Sequence, residues 1–205
     1  MRAPAGALMR SRWAWALRTS AALLLAVALL FASGARAEVF ASQAEALAAA
    51  FPGARVEKRT LLLDDAQARA VEQSAQAPLE SRFVTLHTAW RDGRAVGYAF
   101  IDVHTVRTLP EALLVVISPE GSVVSTRMLA FYEPADYLPP KRWLRQFEKR
   151  ALTPDLRVGG KVHGIAGATL STRAVTNSVR RALALHAVLV APSAAPPDLR
   201  TAEGG

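Results

Sequence analysis

From residue 42 onward the polar and apolar positions fall into short periods that define the elements. Ser42 to Phe51 is alanine-rich, with Ser42 placed as a cap, Glu45 three residues on in the capping-box pattern, and Pro52-Gly53 ending the helix. Arg55 to Leu63 reads as a strand, and Asp64-Asp65 caps a second helix that lasts until Pro78. Ser81 to His104 reads as a β-hairpin: Phe83-Val-Thr-Leu86 is strand-forming, Asp92-Gly93 is a strong turn dipeptide, and Ala95 to Val103 returns. Ala112 to Ser118, the turn Pro119-Glu-Gly121 and Val123 to Tyr132 make a second hairpin. Prolines recur from Phe131 to Pro140 and remove backbone donors, so that stretch is irregular. Pro140 then opens a helix from Lys141 to Leu152 that carries Trp143, Leu144 and Phe147 on one face.

The longest periodic run comes last. Small or apolar side chains fall at Ala174, Val175, Ser178, Val179, Ala182, Leu183, Leu185 and Leu189, the three-and-four spacing of an amphipathic helix. Arg173, Asn177, Arg180 and Arg181 fall mostly on the other side, and the helix starts within a residue or two of Thr169. The expected fold is α+β: an antiparallel sheet of four to six strands with helices packed on it, and a long C-terminal helix after a Gly-Ala-Thr turn.

That turn is where chemistry is expected. A helix start carries unpaired N–H groups and the positive end of the peptide dipoles, so it holds an anion, phosphate above all, without a charged side chain. Gly167 and Ala168 keep the approach bare, and Thr169, Ser171 and Thr172 add hydroxyls.

Gly167-Ala168-Thr169-Leu170-Ser171, followed by Arg173-Ala174-Val175, resembles the flavinylation motif of the FMN-binding domain family, found in the G subunit of Rnf-type electron transport complexes and the C subunit of sodium-pumping NADH:quinone oxidoreductases. The family pattern is Asp-x-x-Ser/Thr-Gly-Ala-Thr, whose last threonine is joined through its hydroxyl to the phosphate of FMN by a flavin transferase. The resemblance implies FMN as cofactor and Thr169 as the attachment residue, with Gly167, Ala168, Leu170, Ser171 and Thr172 around it. The chain departs from the pattern at His163, where the family has Asp, and at Ala166, where it has Ser or Thr. His163 is a candidate for touching the flavin or serving the transferase. Glu133-Pro134 faintly resembles a family loop that precedes the motif, which makes Glu133 a further candidate.

Composition changes the picture at the N-terminus. Arg2, Arg10, Arg12 and Arg18 precede the apolar run Ala21 to Ala32, and Ala35-Arg-Ala37 suits a signal peptidase, so residues 1–37 are expected to be an export signal cleaved after Ala37. The alternative is an N-terminal anchor, because Thr19 to Ala35 is uncharged for 17 residues. Either way the domain, residues 38–190, is expected in the periplasm or on the outer face of the cytoplasmic membrane, with residues 191–205 a disordered tail.

Losing residues 1–37 removes five arginines and no acids, taking the formal charge from +8 to +3. No basic stripe interleaved with aromatics is left, so nucleic acid is not an expected partner. The chain has no cysteine, which excludes haem c attachment, iron–sulfur clusters and thiol chemistry in it. The four histidines lack the paired spacing of a metal signature, and no Ser-His-Asp, paired-carboxylate or Gly-x-Gly-x-x-Gly pattern occurs.

Asp102 and His104 alternate on one strand face with Phe100, and Arg107 follows. They either line a flavin pocket or form a plain polar strand face with a surface arginine, the reading that ordinary sheet alternation favours. Tyr132, Tyr137 and Trp143 either stack on the flavin ring or pack the Pro-rich loop, with packing favoured. The implied function is electron transfer as a subunit rather than a stand-alone catalyst, with a flavin transferase and membrane redox subunits or exported carriers as partners. The rival functions are an exported interaction or sensor domain of this fold without flavin and a small flavin reductase.

Overall fold

A computed structural model of the chain describes residues 38–190, and the expectations for the leader and the tail lie outside them. Among the described residues six strands form one antiparallel sheet: β1 (Glu38–Val39), β2 (Arg55–Leu62), β3 (Phe83–Arg91), β4 (Arg94–Thr105), β5 (Pro110–Ile117) and β6 (Val123–Phe131), in spatial order β1-β6-β5-β4-β3-β2. Both expected hairpins form. Asp92 and Gly93, at φ +50 and +74, supply the two left-handed residues that a tight β3–β4 turn requires. Strand β1 was not expected; two residues are too short to show a period, and Glu38 and Val39 are fixed by pairing with Phe131 and Ala130.

Side-chain alternation sends the sheet's two faces into two cores. One face of the sheet carries Val84, Leu86, Phe100, Leu113, Val115 and Ile117 into the larger core. Two helices close that core, α2 (Asp65–Ala75) and the 21-residue α4 (Thr169–Leu189). The other face packs Ala89, Ala99, Leu114 and Val116 under α1 (Gln43–Ala50) and Phe51. Gly97 lies directly beneath the Phe51 ring, where an added Cβ would come within 2.8 Å of ring carbon Cε1. The capping boxes of Ser42 with Glu45 and of Asp64 with Gln67 are both complete.

Three expectations need correction. The helix expected over Lys141–Leu152 is only α3 (Lys141–Leu144) followed by a 3-10 turn, Arg145–Phe147. Beyond Phe147 the backbone bonds instead to the start of β6: Lys149 N–H donates to Val123 O and Val123 N–H to Arg150 O. Trp143, Leu144 and Phe147 still share the buried side. The second helix, expected to run to Pro78, stops at Ala75 because Gln76 turns left-handed at φ +53.

The third correction concerns Arg180 and Arg181, expected on the polar side of the last helix and each only 3% exposed. The Arg180 guanidinium donates to the carbonyls of Ser74, Ala75, Thr153 and Leu156 and to Gln76 Oε1. It thereby satisfies the last carbonyls of α2, where the helix dipole is negative. Hydrophobic periodicity does not reveal a buried cation whose partners are main-chain oxygens distant in sequence.

Candidate functional site

The segment before α4 is held from below. Trp143 Nε1–H donates to His163 O at 2.6 Å, and His163 N–H donates to Gln146 Oε1 at 2.8 Å. Trp143 is itself buried edge-on against Phe147, so the turn rests on the core. Gly167 sits at φ +82 with open space around its missing Cβ, and Ala168 N–H donates to Ile165 O. The helix therefore begins from a left-handed residue that favours glycine.

Ala168 stands at the N-cap of α4 and no side chain caps that helix. Thr172 N–H donates to Ala168 O, closing the first helical turn, while its Oγ1 donates to Thr169 O. The N–H groups ahead of that bond are the ones a helix leaves without internal partners. Exposed Thr169 and Leu170 stand beside them, and Ser171 is buried at 2% exposure.

Those residues form one wall of a cleft of about 230 Å³, and Val106, Arg107, Glu133 and Tyr137 form the other. Glu133 Oε1 accepts from the N–H groups of Arg107, Thr108 and Leu109 at 3.2, 2.9 and 3.0 Å. Those bonds hold its carboxyl below the usual glutamate range, the ones from Thr108 and Leu109 most of all. Glu133 thus shapes the loop that presents Arg107, whose guanidinium lies 5.9 Å from the centre of the Tyr137 ring. The carboxylate's charge is met by three backbone donors, leaving Arg107 and the helix start facing across the cleft. That arrangement receives an anion.

Of the eight sequence candidates, Gly167, Ala168, Thr169, Leu170, Ser171 and Glu133 line this cleft. Thr172 lies behind it, with its hydroxyl turned to the helix backbone, and the exposed His163 lies outside the lining. Tyr137 lines the cleft and Trp143 packs the core, one aromatic for each of the two expectations. Arg107, read from the sequence either as a flavin-pocket residue or as a surface arginine, lines the cleft because the β4–β5 turn folds over Glu133. Among the described residues no group of His, Asp or Glu is arranged to hold a metal ion.

Asp102 and His104 are not on an open strand face. Arg181 Nη2 donates to Asp102 Oδ2 at 2.5 Å, His104 Nδ1 donates to the same oxygen at 2.8 Å, and His104 Nε2 donates to Glu111 Oε1 at 2.7 Å. With both ring nitrogens donating to carboxylates, the imidazole is a cation. Burial opposes that charge, but the hydrogen bonds and charges of Asp102 and Glu111 outweigh it and push the His104 pKa up to about 9. Burial opposes the Asp102 charge as well, and its bonds from His104 and Arg181 hold it well below the ordinary aspartate range. Together these four groups pin α4 to β4 and β5.

This arrangement makes a pH prediction. An unfolded histidine titrates near 6.5. Below that pH His104 is protonated in both states and its stabilisation is complete; as pH rises from there through about 9 the stabilisation is lost. The Asp102 share has the opposite sign, present above about pH 4 and lost as pH falls. His87 and His186, pushed down by burial, act only below pH 6.5. Urea unfolding from pH 6.5 to 9 is therefore expected to show falling stability, and His104→Gln to flatten that slope.

Comparison with known proteins gives two findings. A family model described as FMN-binding domain matches residues 110–184, which run from the first residue of β5 through most of α4 and take in Glu133 and the whole Gly-Ala-Thr turn. The match indicates a flavin-binding protein with FMN as its cofactor. No curated protein matches the chain.

Proposed function

We propose, taking the match of residues 110–184 to an FMN-binding domain as the premise, that the protein is an exported electron carrier with FMN fixed by its phosphate at the start of α4. The observation that carries this reading is the uncapped helix start facing Arg107 across one cleft, with Gly167 leaving the approach bare. Thr169 presents its hydroxyl at that point, and among the described residues no base is hydrogen-bonded to it. Activation then belongs to a separate flavin transferase, since a free threonine hydroxyl is a weak nucleophile. The Oγ–P bond forms as the phosphoanhydride P–O bond of an activated flavin donor, a flavin dinucleotide, breaks: the nucleoside monophosphate leaves, the hydroxyl proton goes to the transferase, and the product weighs one FMN less water more than the chain.

The cleft is smaller than the roughly 300–1,000 Å³ of an enclosed small-molecule pocket. A cleft of this size would hold the phosphate end of FMN against Arg107 and the start of α4, with Tyr137 and Leu170, the latter 45% exposed, as the residues that would flank the rest of the cofactor. FMN, when bound, supplies the electron chemistry, and the chain supplies position, charge balance and an open ring edge for partners. Membrane redox subunits or exported carriers are the partners that such an edge suits. The export signal read in residues 1–37 supports an exchange outside the cytoplasmic membrane.

FMN and riboflavin titrations of protein made without a transferase test the phosphate anchor. Riboflavin, which lacks the phosphate, is expected to bind at least about a hundredfold more weakly. Arg107→Ala is expected to weaken FMN about tenfold and leave riboflavin unchanged. Equal affinities for the two flavins contradict the proposal.

A further inference from the structure

Next to the flavin cleft along the chain, beyond Tyr137, lies a second and larger cavity, of about 480 Å³. Tyr137 belongs to the first site, and its neighbours Leu138, Pro139 and Pro140 to the second. The floor is apolar: Met128 and Leu144 are buried, and Phe40 is left 38% exposed at the lip. The cavity is also firmly walled. Thr126 Oγ1–H donates to Leu144 O, tying α3 to β6, and Phe40 N–H donates to Leu129 O, tying the chain after β1 to the same strand.

The polar lining has one sign. Arg127, Lys141 and Arg145 line the cavity, no carboxylate does, and none of the three has a salt-bridge partner among the described residues. Scattered surface cations are ordinary. Three unpaired ones around an apolar hollow with an exposed aromatic at its lip call for a ligand with a negative head and an apolar body. Where residues 1–37 stay attached as an anchor, the lip also lies close to that anchor in sequence. Phe40 is five residues past Ala35, the end of the uncharged run, and five residues reach at most about 18 Å.

We propose that this cavity binds the anionic head and first methylenes of a bilayer phospholipid, docking the domain on the membrane independently of the flavin. Calorimetric titration of the full chain with short-chain lipids below their micelle concentration tests it. Dihexanoyl phosphatidylglycerol is expected to bind at least about tenfold tighter than dihexanoyl phosphatidylcholine, and glycerol phosphate alone to bind about tenfold more weakly than the phosphatidylglycerol. Changing Arg127, Lys141 and Arg145 together to Gln should abolish the preference for the anionic lipid and reduce retention on phosphatidylglycerol vesicles at least about tenfold. Phe40→Ser, at a partly exposed position, should weaken both lipids and keep the preference. FMN titration of the same variants is expected to be unchanged, so failure here is distinguishable from failure of the flavin reading. Equal binding of the two lipids, undiminished binding by the triple variant, or glycerol phosphate binding as tightly as the lipid each overturn the proposal. So does binding of the short-chain lipid without charge-dependent retention on vesicles, which assigns the cavity to a soluble acid.

Discussion

Arg181→Ala is expected to destabilise the protein by about 3–5 kcal/mol, the cost of removing one partner from a buried ion pair. The side chain of Arg181 is 4% exposed and that of Asp102 16%, so water cannot take the guanidinium's place at full strength. A domain of this size is stable by roughly 5–15 kcal/mol, so the loss is a large fraction of the whole. Asp102→Asn should cost a comparable amount, because both carboxylate oxygens accept from Arg181 or His104 and the amide turns one of those acceptors into a donor. The double variant should show a coupling of about 0.5–3 kcal/mol, since the two groups share one network. Urea unfolding at pH 6.5, below the His104 window, measures all three proteins. A loss under about 1 kcal/mol for Arg181→Ala contradicts the assignment of this network as the pin between α4 and the sheet.

Thr169→Val should leave the fold intact and abolish covalent flavin. Valine keeps the β-branched shape at an exposed helix start whose hydroxyl makes no internal bond, so stability should change by no more than about 1 kcal/mol. The intact mass of protein co-produced with a flavin transferase should then lack the added FMN less water that the parent carries. Ser171→Ala, two residues on in the same cleft wall, should keep the adduct. Flavin retained on the valine variant would move the attachment elsewhere.

The local devices of this fold were legible in the sequence because each acts over a few residues. Asp92-Gly93 announces its hairpin, Ser42 with Glu45 announces α1, and the Gly167-Ala168-Thr169 turn announces α4 within one residue. What stayed hidden depends on partners far along the chain. Arg180 is buried because α2 and the segment at Thr153 to Leu156 bring carbonyls to it, and Asp102 is a partly buried ion paired with Arg181, 79 residues later. Lys141 to Leu152 has a helical period, yet the edge of β6 claims its second half through backbone bonds. In the candidate site, the wall from Gly167 to Ser171 was readable because it is contiguous. Arg107 and Tyr137 were readable only as one of two alternatives each, since their places opposite that wall depend on the β4–β5 turn over Glu133 and on the turn Ala135–Tyr137.

A crystal structure of the flavin-loaded protein tests the central claim most directly. The account predicts the phosphate at the first turn of α4, its oxygens about 2.7–3.2 Å from the N–H groups of Leu170 and Ser171 and facing Arg107, with one oxygen shared with Thr169. A flavin whose phosphate lies elsewhere while the helix start stays free would contradict it.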